Sequence, residues 1–168
     1  MTFTKLVRKL KQESKQLKIV CIGLDNAGKT TILKNIFNIQ TTVEPTFGYS
    51  LYRCNYNNQN LHVYDIGGQN IFKEYWNNYF EKCDGIIFVY DLSDTRNYMN
   101  DLNKIINEAP GIPILVLGNK SDLIINYEKP TKNTNIFKFS IVSGIDRSTL
   151  TEPFDWLIHK CKNNLNLQ

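Results

Sequence analysis

The sequence predicts an α/β fold with a six-stranded, mostly parallel sheet, one antiparallel edge strand and helices on both faces. Strand patterns alternate with helical patterns along the chain, as in a parallel sheet joined by crossover helices. One pair of strand patterns is separated by only four polar residues, which indicates a hairpin. The chain has 168 residues, a length that suits one globular domain.

The six predicted strands are short apolar or alternating segments. They cover residues 18–23, 49–56, 61–66, 86–91, 113–118 and 135–140. The second and third form the hairpin, with Asn57-Asn58-Gln59-Asn60 as its turn. Because strands joined by so short a turn run antiparallel, this hairpin supplies the antiparallel edge. Apolar residues at helical spacing predict helices over residues 30–37, 97–108 and 150–163.

The N-terminal segment is predicted to be a basic amphipathic helix. Its apolar residues recur at i, i+3, i+4 and i+7: Phe3, Leu6, Val7 and Leu10. Residues 1–18 carry a net charge of +5 in a chain whose total is +4, so the rest sums to −1. A nucleic-acid-binding body carries its basic patch within the fold, so we expect no nucleic-acid partner. We divide the chain into this helix, residues 1–17, and a body, residues 18–168.

Composition excludes several other classes of protein. Apolar residues make up 42% and charged residues 21%, which is typical of a globular domain and unlike a disordered chain. No apolar run approaches the roughly 20 residues of a membrane-spanning helix, and the first ten residues do not resemble a signal peptide. Four cysteines without a CxxC pair predict neither a disulfide framework nor a zinc site, and they favour a reducing cytosol.

A glycine-rich loop stands between the first predicted strand and helix. Its residues Gly23-Leu24-Asp25-Asn26-Ala27-Gly28-Lys29-Thr30 fit the phosphate-binding pattern GxxxxGK[ST]. The glycines let backbone N–H groups point at phosphates, and the start of the helix adds its positive dipole end. We expect Lys29 to reach the β- and γ-phosphates and the Thr30 hydroxyl to bind Mg²⁺. This motif predicts the P-loop NTPase fold.

Two further segments are expected to contact the γ-phosphate end. In Asp65-Ile66-Gly67-Gly68-Gln69, the aspartate can hold Mg²⁺ through a water. The N–H of Gly68 can approach the phosphate because no side chain blocks it, and Gln69 can orient the attacking water. Thr46, in the loop ahead of the hairpin, could bind Mg²⁺ only when a γ-phosphate is present, which would make that loop a sensor of this phosphate.

A third motif, Asn119-Lys120-Ser121-Asp122, follows the fifth predicted strand and is expected to select the base. The Asp122 carboxylate can accept hydrogen bonds from N1–H and the 2-amino group of guanine, whereas adenine would leave it desolvated and unpaired. Asn119 is expected to support the loop and to meet the base from its other edge. The stem of Lys120 is expected to cover the face of the ring.

These motifs, in this order, resemble the small GTPases and, within them, the Arf and Arf-like branch. GLDNAGKTT, PT-x-G and DIGGQ are the Arf-type forms, and the chain looks closest to the Arf-like group that releases lipidated cargo from carrier proteins. The resemblance implies a small G protein that binds GTP, GDP and Mg²⁺ and hydrolyses GTP slowly. It places phosphate binding on residues 23–31, Thr31 included, Mg²⁺ binding on Thr30 and Thr46, and water positioning on Gln69. It places guanine contacts on Asn119, Lys120, Asp122 and the backbone N–H of Ile141.

The same resemblance implies three kinds of partner protein: an exchange factor, a GTPase-activating protein and effectors. It also implies that the chain is a monomer and acts in membrane or lipidated-protein trafficking. Effectors are expected to bind an aromatic surface in the GTP state, and we assign to it Tyr49, Tyr64, Trp76 and Tyr79. Family members usually have Phe and Trp at the first two of these positions. For Trp76 the sequence leaves a second position open, packed inward in the core.

The expected location is the cytoplasm, with peripheral contact to membranes. Thr2 replaces the glycine that N-myristoylation needs, so membrane contact rests on residues 3–11, a weak anchor by itself. We expect this helix to dock on the body in the GDP state and to be released in the GTP state.

Two other functions stay open from the sequence. A metabolic P-loop kinase or ATPase would explain the first motif but would leave residues 119–122 unused. A guanine-nucleotide-binding scaffold that does not cycle would fit two departures from the family pattern. These are the bulk of Ile141, which stands where the family has alanine, and the short segment 123–139, in which the family's helix is expected to be missing or reduced.

Overall fold

The computed structural model describes residues 2–14, 16–39, 48–124 and 134–166. Six strands form one sheet: β1 (Gln16–Gly23), β2 (Tyr49–Tyr56), β3 (Gln59–Ile66), β4 (Gly85–Asp91), β5 (Ile114–Asn119) and β6 (Phe137–Ile141). Their order is β2-β3-β1-β4-β5-β6. All neighbouring strands are parallel except β2 and β3, which pair antiparallel. The predicted fold class is confirmed.

The predicted helices are present, with shifted ends. The helices are α1 (Phe3–Ser14), α2 (Lys29–Ile36), α3 (Asn70–Lys73), α4 (Asn77–Phe80), α5 (Met99–Glu108) and α6 (Arg147–Asn166), with one turn of 3-10 helix at Ser121–Leu123. In the described parts of the chain, no helix combines the length and apolarity needed to cross a bilayer. The segment in which we expected a missing or reduced helix lies mostly outside the described residues.

The turn of the hairpin is tighter than predicted. Tyr56 pairs directly with Gln59, so two residues form the turn and the predicted four-residue turn was wrong. Asn57 and Asn58 both have positive φ values, 49° and 62°. A two-residue hairpin turn that matches the twist of the strands needs this conformation, and asparagine tolerates it. The strand therefore begins at Gln59 rather than at residue 61.

The sheet separates two apolar layers. Ile19 of β1 packs in the layer that contains Leu33 of α2 and Leu157 of α6. Ile22 of the same strand packs in the other layer, with Leu102 of α5. Because successive side chains of a strand point to opposite faces, β1 is buried from both sides. This explains its continuous apolar pattern in the sequence.

The parallel strands place the three motifs at one edge of the sheet. The glycine-rich loop begins at the last residue of β1, the DIGGQ segment at the last two residues of β3, and residues 119–122 at the last residue of β5. The carboxyl ends of parallel strands lie at the same edge, which is where open α/β sheets bind ligands.

Candidate functional site

The loop between β1 and α2 needs glycine at its two ends. Gly23 has a φ of 141°, and a Cβ built on it would lie 1.9 Å from the carbonyl oxygen of Val89. Gly28, at the N-cap of α2, has a φ of 90°, and a Cβ there would lie 2.4 Å from Nδ2 of Asn119. No side chain caps α2. The start of this helix is therefore arranged as an anion-binding end made of backbone N–H groups.

Lys29 is a buried cation inside this loop. Only 7% of it is exposed, and its Nζ donates to the carbonyl oxygens of Leu24, at 2.8 Å, and Gly23, at 3.3 Å. Burial lowers the pKa of Lys29 from its usual value. A phosphate group beside Nζ would supply the negative charge that the loop carbonyls do not.

Thr30 and Asp65 form the part of the site that suits a divalent cation. The Thr30 hydroxyl donates to Oδ2 of Asp65 at 2.5 Å, and Asp65 is fully buried at the end of β3. A hydroxyl and a carboxylate are hard oxygen ligands of the kind Mg²⁺ prefers, so the residues fit this ion. Thr46, the other predicted ligand, lies outside the described residues. Thr31 is partly buried in the first turn of α2.

The segment after β3 packs directly on the glycine-rich loop. Gly68 is buried, and a Cβ on it would lie 2.4 Å from both the backbone N of Asp25 and the carbonyl oxygen of Gly23. Only a residue without a side chain allows this approach. Gln69 is exposed at the N-cap of α3.

Asn119 joins the predicted base-binding loop to the phosphate loop. It is 2% exposed, and its Nδ2 donates to the carbonyl oxygen of Ala27 at 2.8 Å. Its Oδ1 accepts from the backbone N–H of Gly144 at 2.8 Å. One buried amide therefore connects the loops that follow β1, β5 and β6.

The remaining predicted base-binding residues lie around this amide. Lys120 has a φ of 67°, and its Nζ is 2.7 Å from Oδ2 of Asp91. Asp122 is exposed. Ile141 ends β6, where it pairs with Gly118 of β5, so the loop after β6 lies beside the loop after β5.

Two functional candidates escaped the sequence analysis, and Ser143 is the first. Its hydroxyl donates to Oδ1 of Asp122 at 2.6 Å, and it is 4% exposed. Its backbone N–H donates to the Thr149 hydroxyl at 3.0 Å. A buried serine that orients the carboxylate predicted to select the base could have been suspected only from its place after the last strand.

Arg96 is the second, and no motif contains it. Its Nη2 donates to the carbonyl oxygen of Asp25 at 3.0 Å, and its Nη1 pairs with the Asp25 carboxylate. Its Nε donates to Oδ2 of Asp94 at 2.8 Å. The hydrogen bond from Arg96 lowers the pKa of Asp25. This guanidinium therefore fastens the outside of the phosphate loop to the loop after β4.

Three of the four predicted effector residues form a tyrosine cluster, which we define as Tyr49, Tyr64 and Tyr79. Their ring centroids are 5.8 to 6.4 Å apart, and Tyr49 is 57% exposed. The assignment of Trp76 to this surface was wrong, since Trp76 is 3% exposed and packs in the core layer beside Phe80. Burying so large an aromatic surface stabilises the fold more than exposing it would.

The apolar side of α1 is directed to solvent at the positions where the side chains are described. Phe3 is 81% exposed, Leu6 44% and Leu10 55%. These side chains are therefore available to a partner or a lipid surface in this structure.

Comparison with known proteins gives one consistent result. Residues 3–161 match the model of the ADP-ribosylation factor family. The chain is 37% identical to ADP-ribosylation factor-like protein 2 of Dictyostelium discoideum, over 91% of each chain, and 34% identical to the protein of the same name from Arabidopsis thaliana, over 94% of each. It is also similar to the solved structure of the Arl6 BBS3 small GTPase from Trypanosoma brucei with the bound nucleotide analogue GppNp. That similarity has a TM-score of 0.66 and 26% identity, and it covers 88% of this chain and 98% of the other.

Proposed function

The chain belongs to the ADP-ribosylation factor family of small GTPases, and from that premise we propose that it is an Arf-like molecular switch. In this proposal it binds GTP and GDP with Mg²⁺, hydrolyses GTP slowly by itself and recruits effectors in the GTP state. An exchange factor and a GTPase-activating protein set the rates of the two transitions.

The observation that carries the proposal is the junction at Asn119. Its amide bonds to Ala27 of the phosphate loop and to Gly144 of the loop after β6. A kinase or ATPase needs no such link between a phosphate loop and an Asn-Lys-x-Asp segment. The nucleotide analogue bound to the similar Arl6 protein supports the same ligand class.

The chain's own residues would divide the work as follows. Lys29 exchanges its two carbonyl partners for phosphate oxygens, Gly68 presents its N–H to the γ-phosphate, and Gln69 orients the attacking water. Mg²⁺, when bound beside Thr30 and Asp65, neutralises part of the charge that develops on the phosphates. The catalysis available to this site is positioning and electrostatic stabilisation.

The contacts that Arg96 already makes support the proposal of slow hydrolysis. This arginine already bonds to Asp25 and Asp94, so it is not a built-in finger for the γ-phosphate. In a related GTPase, an arginine supplied by an activating protein accelerates hydrolysis by about 10⁵-fold. We therefore expect turnover to depend on such a protein.

We extend the proposal to the N-terminal helix and the cellular setting. Residues 1–17 would act as a separate amphipathic unit whose exposed Phe3, Leu6 and Leu10 contact membranes weakly in the GTP state. The protein would then work as a monomer in the cytoplasm and peripherally at membranes, in membrane or lipidated-protein trafficking.

A nucleotide competition experiment tests the switch. A fluorescent GDP analogue bound to the full chain with Mg²⁺ should be displaced by GTP and GDP and resist a large excess of ATP, because Asp122 accepts hydrogen bonds that only guanine donates. Displacement by ATP would contradict the assignment and favour a kinase or ATPase. Single-turnover hydrolysis separates the cycling switch from the scaffold, since a scaffold would leave bound GTP intact.

A further inference from the structure

One face of the edge hairpin carries two cations and a histidine that the switch chemistry does not use. Arg53 of β2 lies opposite His62 of β3, and His62 lies beside Lys18 of β1. Registered residues of neighbouring strands project from the same face, about 4.8 Å apart. We call these three residues the cationic row, which spans about 10 Å across the sheet.

The rows on either side of it contain no acid. Toward the carboxyl edge of β3, the next row pairs Leu51 with Tyr64, and Tyr49 of the tyrosine cluster follows on β2. Toward the turn, the next row pairs Asn55 with Asn60, whose side chains share a hydrogen bond of 3.0 Å. The cationic row therefore adjoins the tyrosine cluster. Among the registered rows named here, it is the only one that contains charged side chains.

The side chains of the row form no ion pair within the described residues, although the Asp84 carboxylate accepts a hydrogen bond from the backbone N–H of Lys18 at 2.8 Å. Partial burial, and then the charges of Arg53 and Lys18, lower the pKa of His62. Arg53 is exposed, and Lys18 and His62 are partly buried, so an incoming group can reach all three.

We propose that the cationic row and the tyrosine cluster together bind a helical segment of a partner protein that presents two carboxylates one turn apart beside an apolar side chain. This inference rests on the proposed function, because it identifies the chemistry of the effector. Residues i and i+4 of a helix are about 6 Å apart, a spacing that side chains of neighbouring strands can meet. The apolar residue packs on the tyrosine rings, whose hydroxyls, like the cations, donate hydrogen bonds to acceptors.

The number of charges favours an acidic protein over an anionic membrane. Lipid-headgroup recognition generally uses clusters of about four to eight Lys and Arg, whereas the row has two such residues and one histidine. Two cations at fixed positions can favour a pair of carboxylates over a pair of neutral amides, because only the carboxylates match their positive potential.

A pair of matched peptides tests the proposal on the full chain loaded with GppNp. Both are helix-forming peptides of about 20 residues with one leucine and an uncharged fluorophore. One carries two glutamates four residues apart on the leucine face, and the other carries glutamines there. Fluorescence anisotropy should show binding of the glutamate peptide about tenfold tighter at low salt, with most of the difference lost at high salt.

Two charge reversals locate the site. Arg53→Glu should remove the preference for the glutamate peptide, and Lys104→Glu, the same charge change at an exposed position of α5, should retain it. Arg53→Gln, which removes the charge without reversing it, should lower the preference from tenfold to about threefold. This milder variant keeps the test valid if the charge reversal impairs folding. Preference unchanged in Arg53→Glu, or lost equally in Lys104→Glu, would overturn the proposal.

Two further measurements distinguish the remaining outcomes. If Arg53→Glu reduces binding to phosphatidylcholine–phosphatidylserine vesicles while peptide preference is unchanged, the row faces membranes and the proposal is wrong. The affinity for a fluorescent GTP analogue is measured for every variant. Failure of the wild-type chain to bind guanine nucleotide would contradict the proposed switch, whereas lost peptide discrimination with intact nucleotide binding would contradict the effector chemistry alone.

Discussion

The carboxyl edge of the sheet, formed by the loops after β1, β3 and β5, differs in construction from the exposed face of the hairpin β2–β3. At the carboxyl edge, Gly23 and Gly68 are buried so closely that a single added Cβ would collide with backbone, and Asn119 is 2% exposed. On the hairpin face, Tyr49 and Arg53 are exposed; Tyr49 contacts only the other two rings of the tyrosine cluster among the ring contacts described. The carboxyl edge is shaped by backbone geometry, whereas the hairpin face is formed by side chains, so we expect substitutions on the face to disturb the fold less.

The largest effect should come from adding a methyl group at the edge. Gly23→Ala places Cβ 1.9 Å from the carbonyl oxygen of Val89 at a φ of 141°, so we expect the free energy of unfolding to fall by about 3 kcal/mol or more. Gly111→Ala is the control. Its φ of 78° is also strained but nothing lies within 4 Å, and the cost should be about 1 kcal/mol. Urea denaturation of both variants measures the difference, and equal losses would contradict the steric argument.

The next effect should come from removing the amide that joins the loops. Asn119→Ala leaves the carbonyl of Ala27 and the N–H of Gly144 without their partner, which should cost about 3 kcal/mol. We expect most of this cost to fall on the loops around the nucleotide site. The affinity for a fluorescent GTP analogue should therefore drop about 100-fold. Asn100→Ala, at an exposed position of α5, should leave the affinity unchanged.

Gln69→Leu should separate catalysis from binding. Gln69 is exposed and bonded to no part of the phosphate loop in the hydrogen bonds described, so the affinity for GTP should be retained. Hydrolysis should slow by about tenfold or more, because the attacking water loses its positioning group. Single-turnover assays with and without an activating protein check this. Wild-type rates in both would remove Gln69 from its assigned role.

A smaller effect is expected at the outside of the phosphate loop. Arg96→Ala removes the contacts to Asp25, but half of the Arg96 side chain is exposed, so solvent screens the ion pair. Nucleotide dissociation should accelerate by about fivefold, with a smaller change at high salt. Arg96→Lys should recover only part of the loss, because lysine cannot make the forked contact.

The smallest effect on stability should come from the hairpin face. Tyr49→Ala removes a side chain that is 57% exposed, so the free energy of unfolding should change by less than about 0.5 kcal/mol, and nucleotide affinity should not change. The same variant should weaken binding of the glutamate peptide. A loss of stability similar to that of Asn119→Ala would show that the two regions are not built as differently as their burial indicates.

The errors of the sequence analysis fall where several residues compete for the same space. Trp76 was assigned to the effector surface from the resemblance of its segment to the family, yet it packs in the core layer beside Phe80. The hairpin turn was predicted from four polar residues, but the pairing of Tyr56 with Gln59 extends the ladder. In both cases a local pattern was compatible with two outcomes, and packing selected one.

The sequence by itself determined the motifs and the fold class, because a phosphate loop is contiguous and its glycines, lysine and threonine specify their own chemistry. It also determined the alternation of strands and helices from which the parallel sheet follows. Only the tertiary structure decided that Arg96 reaches Asp25, 71 residues away, and that Ser143 orients Asp122. It also aligned Lys18, His62 and Arg53 across three strands. Contacts of this kind depend on strand order and register, which are set by the packing of the whole sheet and leave no signature at either residue alone.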